Sequence, residues 1–197
     1  MKDVYERCPK FENAQYQIRL LSYEDTADLL NVYSDKKAVS LCNADNCSGG
    51  FHFTTMDVMR DVIKWWLEEY AKRDFVRFSI VDKSVDQVIG TIELFHREAN
   101  DYFTNCGLLR LDIRSNYEKS TTIKSILSLI VFEAFGWFQC DKIATKATAD
   151  AAERRKALSE MGFVRSEEKL LGHDGKEYGD YFVICISQIP GRTAGKS

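Results

Sequence analysis

The chain has 197 residues, 45% of them apolar, and its 27 basic and 30 acidic residues leave a formal net charge of −3. That length buries one substantial core, the charge balance gives no electrostatic case for nucleic acid or an anionic membrane as partner, and no apolar run of membrane-spanning length is free of charges. The opening residues, Met1 to Glu6, lack the apolar core of a signal peptide, so the expectation is a cytoplasmic protein, monomer or homodimer, with one domain over residues 1–187 and a flexible tail at 188–197.

In chain order, residues 16–21 make a short strand. Ser22 then starts a helix, with Asp25 in the acidic position of a capping box, and Leu29, Leu30 and Tyr33 face inward. Residues 38–53 hold Asn43, Asp45, Asn46, Gly49 and Gly50 and form a loop, a long connection of the kind that carries function. A second helix runs from about Thr55 to Arg73, with Met59, Val62, Ile63, Trp66 and Tyr70 on one face; these aromatics either pack in the core or line a groove. Strands at 76–81, 88–95 and 102–114 follow as an antiparallel meander. Residues 123–138 form a buried helix, 141–148 a strand, and 149–161 a helix stopped at Gly162. Residues 163–171 and 178–187 pair as a hairpin around Asp174 and Gly175.

The stretch from Leu108 to Phe138 organises the rest. Leu109, Leu111 and Ile113 alternate with Arg110, Asp112 and Arg114, which is strand periodicity. A polar loop, 115–122, connects that strand to the buried helix. The first amides of that helix, pointing past the strand end, make a place to bind an anion.

The six cysteines include no Cys-x-x-Cys pair and read as small thiols rather than staples. Cys42, Cys47 and His52 cluster loosely in a Gly-rich loop but lack a fourth ligand at a recognisable spacing, so no metal site is expected.

Four stretches together resemble one family. Ile18 to Asp25, Val88 to Leu94 with Ile89 and Gly90, the anion corner, and Leu158 to Phe163 with Gly162 follow, in order, the pattern of the GNAT superfamily of N-acetyltransferases, nearest its ribosomal-protein N-terminal branch. The resemblance covers roughly residues 16–187. It implies a mixed α/β (α+β) fold whose mostly antiparallel central sheet is splayed between its fourth strand, here 108–114, and its fifth, here 141–148. It also implies acetyl-CoA as cosubstrate and direct attack by a primary amine, a protein N-terminus or a small amine. The pantetheine arm then lies in the splay against Ile113 and Arg114, and the pyrophosphate on Glu118, Lys119, Ser120, Thr121, Thr122 and Ile123.

The departures are specific. The loop glycines of the family are replaced by Lys119 and Thr121, and a Cβ narrows the approach of phosphate oxygens. Glu118 brings a negative charge toward a pyrophosphate. The hydroxyls of Ser120, Thr121 and Thr122 either replace amide contacts or cap the helix. An early Asn of the last helix aligns with Ala151 and a Tyr used as general acid with Leu158. These departures carry the alternative reading, a GNAT-like binding module without catalysis.

Acetyl transfer needs groups that manage protons near the splay. Asp112 lies on the strand face of Arg110 and Arg114, as a base through water or as part of an ion-pair ladder. Glu93 resembles an acidic residue that some relatives use through water, or is an ordinary polar-face residue. Tyr117 is placed to donate to a thiolate or to pack on the helix. His96, at a strand end, is a base by residue type or a surface residue, and His52 and Asp45 overhang the acceptor side. Arg154, Arg155 and Lys156 form a basic turn, facing the adenosine or its 3'-phosphate, or solvent.

Overall fold

A computed structural model of the chain describes residues 3–47 and 49–188. Strands β1 (Phe11–Glu12) and β2 (Tyr16–Leu20) lead through a tight turn at Tyr23–Asp25 into helices α1 (Thr26–Tyr33), α2 (Lys36–Val39) and α3 (Met56–Lys72). Strands β3 (Val76–Asp82), β4 (Gln87–Arg97) and β5 (Cys106–Ile113) follow, then α4 (Ser120–Leu127), α5 (Val131–Phe138), β6 (Lys142–Lys146) and α6 (Ala152–Glu160). Four strands complete the described chain: β7 (Val164–Arg165), β8 (Leu170–Leu171), β9 (Glu177–Tyr178) and β10 (Tyr181–Cys185). Eight strands form one sheet in the order β1-β2-β3-β4-β5-β6-β10-β7, antiparallel throughout except for β5 with β6. The expected tail, apart from Gln188, lies outside the described residues.

Strand alternation sorts the sheet into two faces. On one, Phe78, Ile92, Leu109, Leu111 and Ile113 pack against Ile123, Ile126 and Phe135 of α4 and α5 in the main core. Each such side chain, fully buried, contributes roughly 1.5–3 kcal/mol. On the other, Arg77, Thr91, Glu93, Arg110 and Asp112 project toward α1 and α3, whose Leu29, Tyr33, Met59, Ile63 and Trp66 form a second cluster. The stretch Ser120–Phe138 is long and apolar enough by composition to cross a membrane; here its Ile123, Ile130, Val131 and Phe135 are core residues.

Gly90 pairs with Ile113 where β4 lies against the end of β5. A Cβ there would lie 2.2 Å from the Asp112 carbonyl oxygen and 2.8 Å from Ile113 Cα, so the Ile-Gly pair of the sequence answers a packing requirement. Next to it the register of β3 against β4 shifts at Ile80 and Val81.

Several elements differ from the sequence expectation, beginning with α2, which reaches into the expected loop at Ala38 and Val39. The helix expected over 123–138 is two helices, because the Ser128 hydroxyl bonds back to the Lys124 carbonyl at 2.6 Å and the amides of Leu129 and Ile130 reach only three residues back, tightening and ending the ladder. The strand expected from 102 begins at Cys106, because Asp101 gathers the Arg97 guanidinium and the amides of Phe103 and Leu171 and so shapes residues 98–105 as a loop. The C-terminal hairpin is interrupted. β8 pairs with β9 beside the Asp174-Gly175 turn, whereas β10 enters the main sheet between β6 and β7.

Candidate active site

β5 and β6 pair from Cys106 with Lys142 to Leu109 with Thr145 and no further. Beyond that point Lys146 stays paired to β10, and Arg110 to Ile113 stay paired only to β4. Two parallel strands, each held by a different antiparallel neighbour, are carried apart by the sheet twist. From Arg110 onward β5 therefore shows a bare edge, and this edge leads through a turn at Ser115–Tyr117 to the start of α4.

The gap is occupied by the chain's own side chains. At its narrow end Asp45, buried within the 40–55 connection, ties the diverging strands together. Its carbonyl accepts from Arg110 at 2.8 Å, and its carboxylate accepts from Lys146 at 2.6 Å and from the Tyr181 hydroxyl at 3.0 Å. One residue further, Arg154 of α6 reaches into the gap and donates to the carbonyls of Leu111 (2.9 Å) and Leu41 (3.0 Å). The same guanidinium holds both carboxylate oxygens of Glu118, at 2.9 and 2.8 Å. Arg154 is 3% exposed; burial works against its charge, but Glu118 outweighs it and raises the pKa. At the mouth, Glu153 accepts from the Ser120 amide, the first of α4, at 2.7 Å, and that amide holds the Glu153 carboxyl below the usual carboxylate range.

The anion corner of the sequence is therefore present as geometry, with its first amide and its nearest guanidinium already engaged. The helix start is capped from α6 and not by the hydroxyls of Ser120, Thr121 or Thr122. Arg154 faces neither solvent nor an open phosphate position, and Glu118 is bound to it rather than exposed. Lys119 is the exposed residue preceding α4, Thr121 is exposed, Thr122 is partly so, and Ile123 points into the core. Ile113 is a core residue at the strand end, and the Arg114 side chain meets Gln87 at 3.3 Å. As arranged, the Leu111 carbonyl of the strand edge, the gap beside it and the first amide of α4 are held by the chain's own groups, which an acyl-CoA would have to displace.

Behind the gap lies a buried polar row. Arg77, Glu93 and Arg110 stand directly opposite one another on β3, β4 and β5. One Glu93 oxygen accepts from Arg77 and the other from Arg110 at 2.8 Å. In the next row Asp112 accepts from Arg77 at 3.1 Å and from Tyr33 at 2.8 Å. Burial, reinforced by Asp112, raises the Tyr33 pKa well above its ordinary value, so the phenol stays protonated. Glu93 is 2% and Asp112 1% exposed, so neither is a polar-face residue nor part of a half-exposed ladder; both are buried carboxylates held by guanidinium. Arg77 is not among the candidates drawn from residue pattern, although a lone charge among Val76, Phe78 and Ile80 on an apolar strand was the available signal. Glu153 is not among them either.

The remaining candidates are dispersed. The Tyr117 hydroxyl donates to Asp82 at 3.0 Å, and burial followed by that bond raises its pKa. His96 lies at the far end of β4 against Asn105 and Phe138, and His52 is exposed. Arg155 covers the Phe182 ring and Lys156 is exposed. The Cys42 and Cys47 thiols donate to the nearby carbonyls of Ala38 and Asp45.

Over the polar row opens a cavity of about 360 Å³. Phe51, Phe53, Trp65, Trp66 and Phe75 wall it, and Arg77, Glu93 and Arg110 make its floor. Trp65 is 51% exposed at its edge. Glu93 is its only carboxylate among the described residues, with both oxygens engaged.

No family model matches the sequence, and no curated protein matches it. Solved structures do. RimJ of Mycobacterium smegmatis in complex with CoA-disulfide is similar over 94% of this chain and 90% of its own, with a TM-score of 0.70 and 13% identity. A GNAT-family acetyltransferase of Bacillus anthracis is similar over 90% and 98%, with a TM-score of 0.66 and 13% identity. Spermidine N-acetyltransferase of Vibrio cholerae in complex with CoA and spermine is similar over 89% and 98%, with a TM-score of 0.64 and 16% identity. With its mixed sheet, the single parallel pair among its described strands and the splay beyond it, the chain has the fold of the GNAT acetyltransferases.

Proposed function

We propose that the protein is an N-acyltransferase that moves an acetyl group from acetyl-CoA to a primary amine by direct transfer, in the cytoplasm. The observation that carries this reading is the splay of β5 from β6, which runs from Arg110 to the start of α4. It stands in a fold shared with acetyltransferases solved with CoA. The acceptor would enter the aromatic cavity over β3–β5. That cavity has no uncommitted carboxylate to pair with a polycation, which supports an amine carried on an apolar body, such as an N-terminal peptide, over a polyamine.

The chain's carboxylates constrain the chemistry. Glu93, held between the guanidinium groups of Arg77 and Arg110, positions the cavity floor, and Asp112 is held in the next row by Arg77 and Tyr33. The test is release of free thiol from acetyl-CoA with a panel of N-terminal peptides, aromatic monoamines and polyamines. Turnover with apolar amines is expected, and no turnover with any amine would reject the reading.

The closed gap favours a second reading, a GNAT-fold binding module without catalysis. Its expected result in the same assay is no thiol release, together with saturable binding of an apolar ligand in the aromatic cavity.

A further inference from the structure

Three carboxylates stand along the strand gap, each at a different depth. Asp45 bridges Arg110 and Lys146 where the strands part, Glu118 pairs with Arg154 beside the Leu111 carbonyl, and Glu153 takes the first amide of α4. A bare strand edge and a helix N-terminus attract a strand-like ligand and an anion respectively. In this chain the Leu111 edge carbonyl and the first helix amide, that of Ser120, are each taken from within. Glu118 has 9% of its side chain exposed and Asp45 7%, so two of the three are lodged groups and not loose surface charges.

Glu118 lies in the loop between β5 and α4, whereas Asp45 and Glu153 come from elements outside the sheet. Glu153 and Arg154 lie side by side in the first turn of α6. The far end of that helix is tied to α4 by Lys124 and Glu160 at 2.8 Å, and the Gly162 turn beyond it has φ +90. A shift of the first turn would release the Ser120 amide, the Leu111 carbonyl and Glu118 together, while the α4–α6 contact at the other end persists. Asp45 belongs to the connection between α2 and α3, which has no helix or strand among its described residues.

We infer that Glu118 and Glu153, assisted by Asp45, are an internal anionic occupant of the acyl-CoA cleft: a self-closing latch that acyl-CoA must displace, carried by the β5–α4 loop, α6 and the α2–α3 connection. This rests on the acyltransferase reading above. Removing a carboxylate then has an unusual consequence for a binding-site mutation, since it strengthens binding. Loss of Glu153 frees an amide and removes a like charge from the phosphate position. Loss of the Glu118 charge also frees the Arg154 guanidinium to meet a phosphate.

The test is calorimetric titration of acetyl-CoA into the wild-type protein, Glu153→Ala and Glu118→Gln. Glu153 is exposed and makes no core contact, so Glu153→Ala decides the matter if Glu118→Gln fails to fold. The latch requires at least tenfold tighter binding by Glu153→Ala than by wild type. Equal affinity in wild type and variants overturns the latch and leaves the acyltransferase reading standing. No binding at millimolar acetyl-CoA by any folded form overturns both.

Discussion

Arg77 and Glu93 face each other across adjacent strands as a pair with 1% and 3% of their side chains exposed. The Arg77 guanidinium also lies 4.1 Å from the centre of the Trp66 ring. One arginine thus joins the sheet, α1 through Tyr33, and α3 through Trp66. The floor of the aromatic cavity is therefore a structural ion network before it is anything chemical.

Removing that arginine should unfold the site from below. Arg77→Met strands Glu93 and Asp112 as buried charges lacking one partner, and a loss of about 3–5 kcal/mol is expected by analogy with broken buried pairs. Urea denaturation checks it, and a loss below 1 kcal/mol would show that water already reaches the row.

Where β4 pairs with the end of β5, Gly90→Ala brings a methyl against the backbone of Asp112 and Ile113 as well as the Ile113 side chain. Over-packing of this kind costs about 1–3 kcal/mol, and in a chain of this size each kilocalorie lowers Tm by roughly 2–4 °C. Thermal unfolding by circular dichroism measures it; an unchanged Tm would place the close approach in doubt.

Trp65→Ala separates cavity from core. The residue lines the cavity yet is half exposed and contacts Phe75 edge-on. Stability should change by no more than about 1 kcal/mol, a modest value for a surface truncation. Affinity for an apolar amine should fall roughly tenfold, the equivalent of about 1.4 kcal/mol. Equal affinity in mutant and wild type would move the acceptor elsewhere.

The latch carries a pH dependence with a definite sign. The folded pKa of Glu153 lies below its ordinary value of 4.5 because the Ser120 amide donates to the carboxylate. Its capping contribution is therefore complete above that ordinary value and is lost as pH falls through the lower folded pKa. A carboxyl ¹³C titration should report Glu153 below the usual range, and in Glu153→Ala the Ser120 amide ¹⁵N resonance should already sit at its low-pH position. A Glu153 carboxyl that titrates at its ordinary value would remove this cap from the account.

Much of the scaffold was legible in local pattern. Alternation in residues 76–113 identified the meander, spacing of Met59, Ile63 and Trp66 identified α3, and Gly162 marked the end of α6, because those signals depend on neighbours close in sequence. The break between α4 and α5 was not, since it depends on one serine bonding to the backbone four residues back. The corner at 115–123 was correctly located as a strand end meeting a helix start. Its closure was invisible, because Glu118 meets a partner 36 residues away and the Leu41 carbonyl, 113 residues from Arg154, completes the same contact.

The sequence by itself determined which segments alternate, which helices are buried, and where an anion-attracting corner must form, all consequences of backbone periodicity and unpaired helix amides. The tertiary structure alone decided whether that corner is open. Long-range pairing places carboxylates and a guanidinium from three distant segments into the gap between β5 and β6, and residue types give no sign of which charges will meet there.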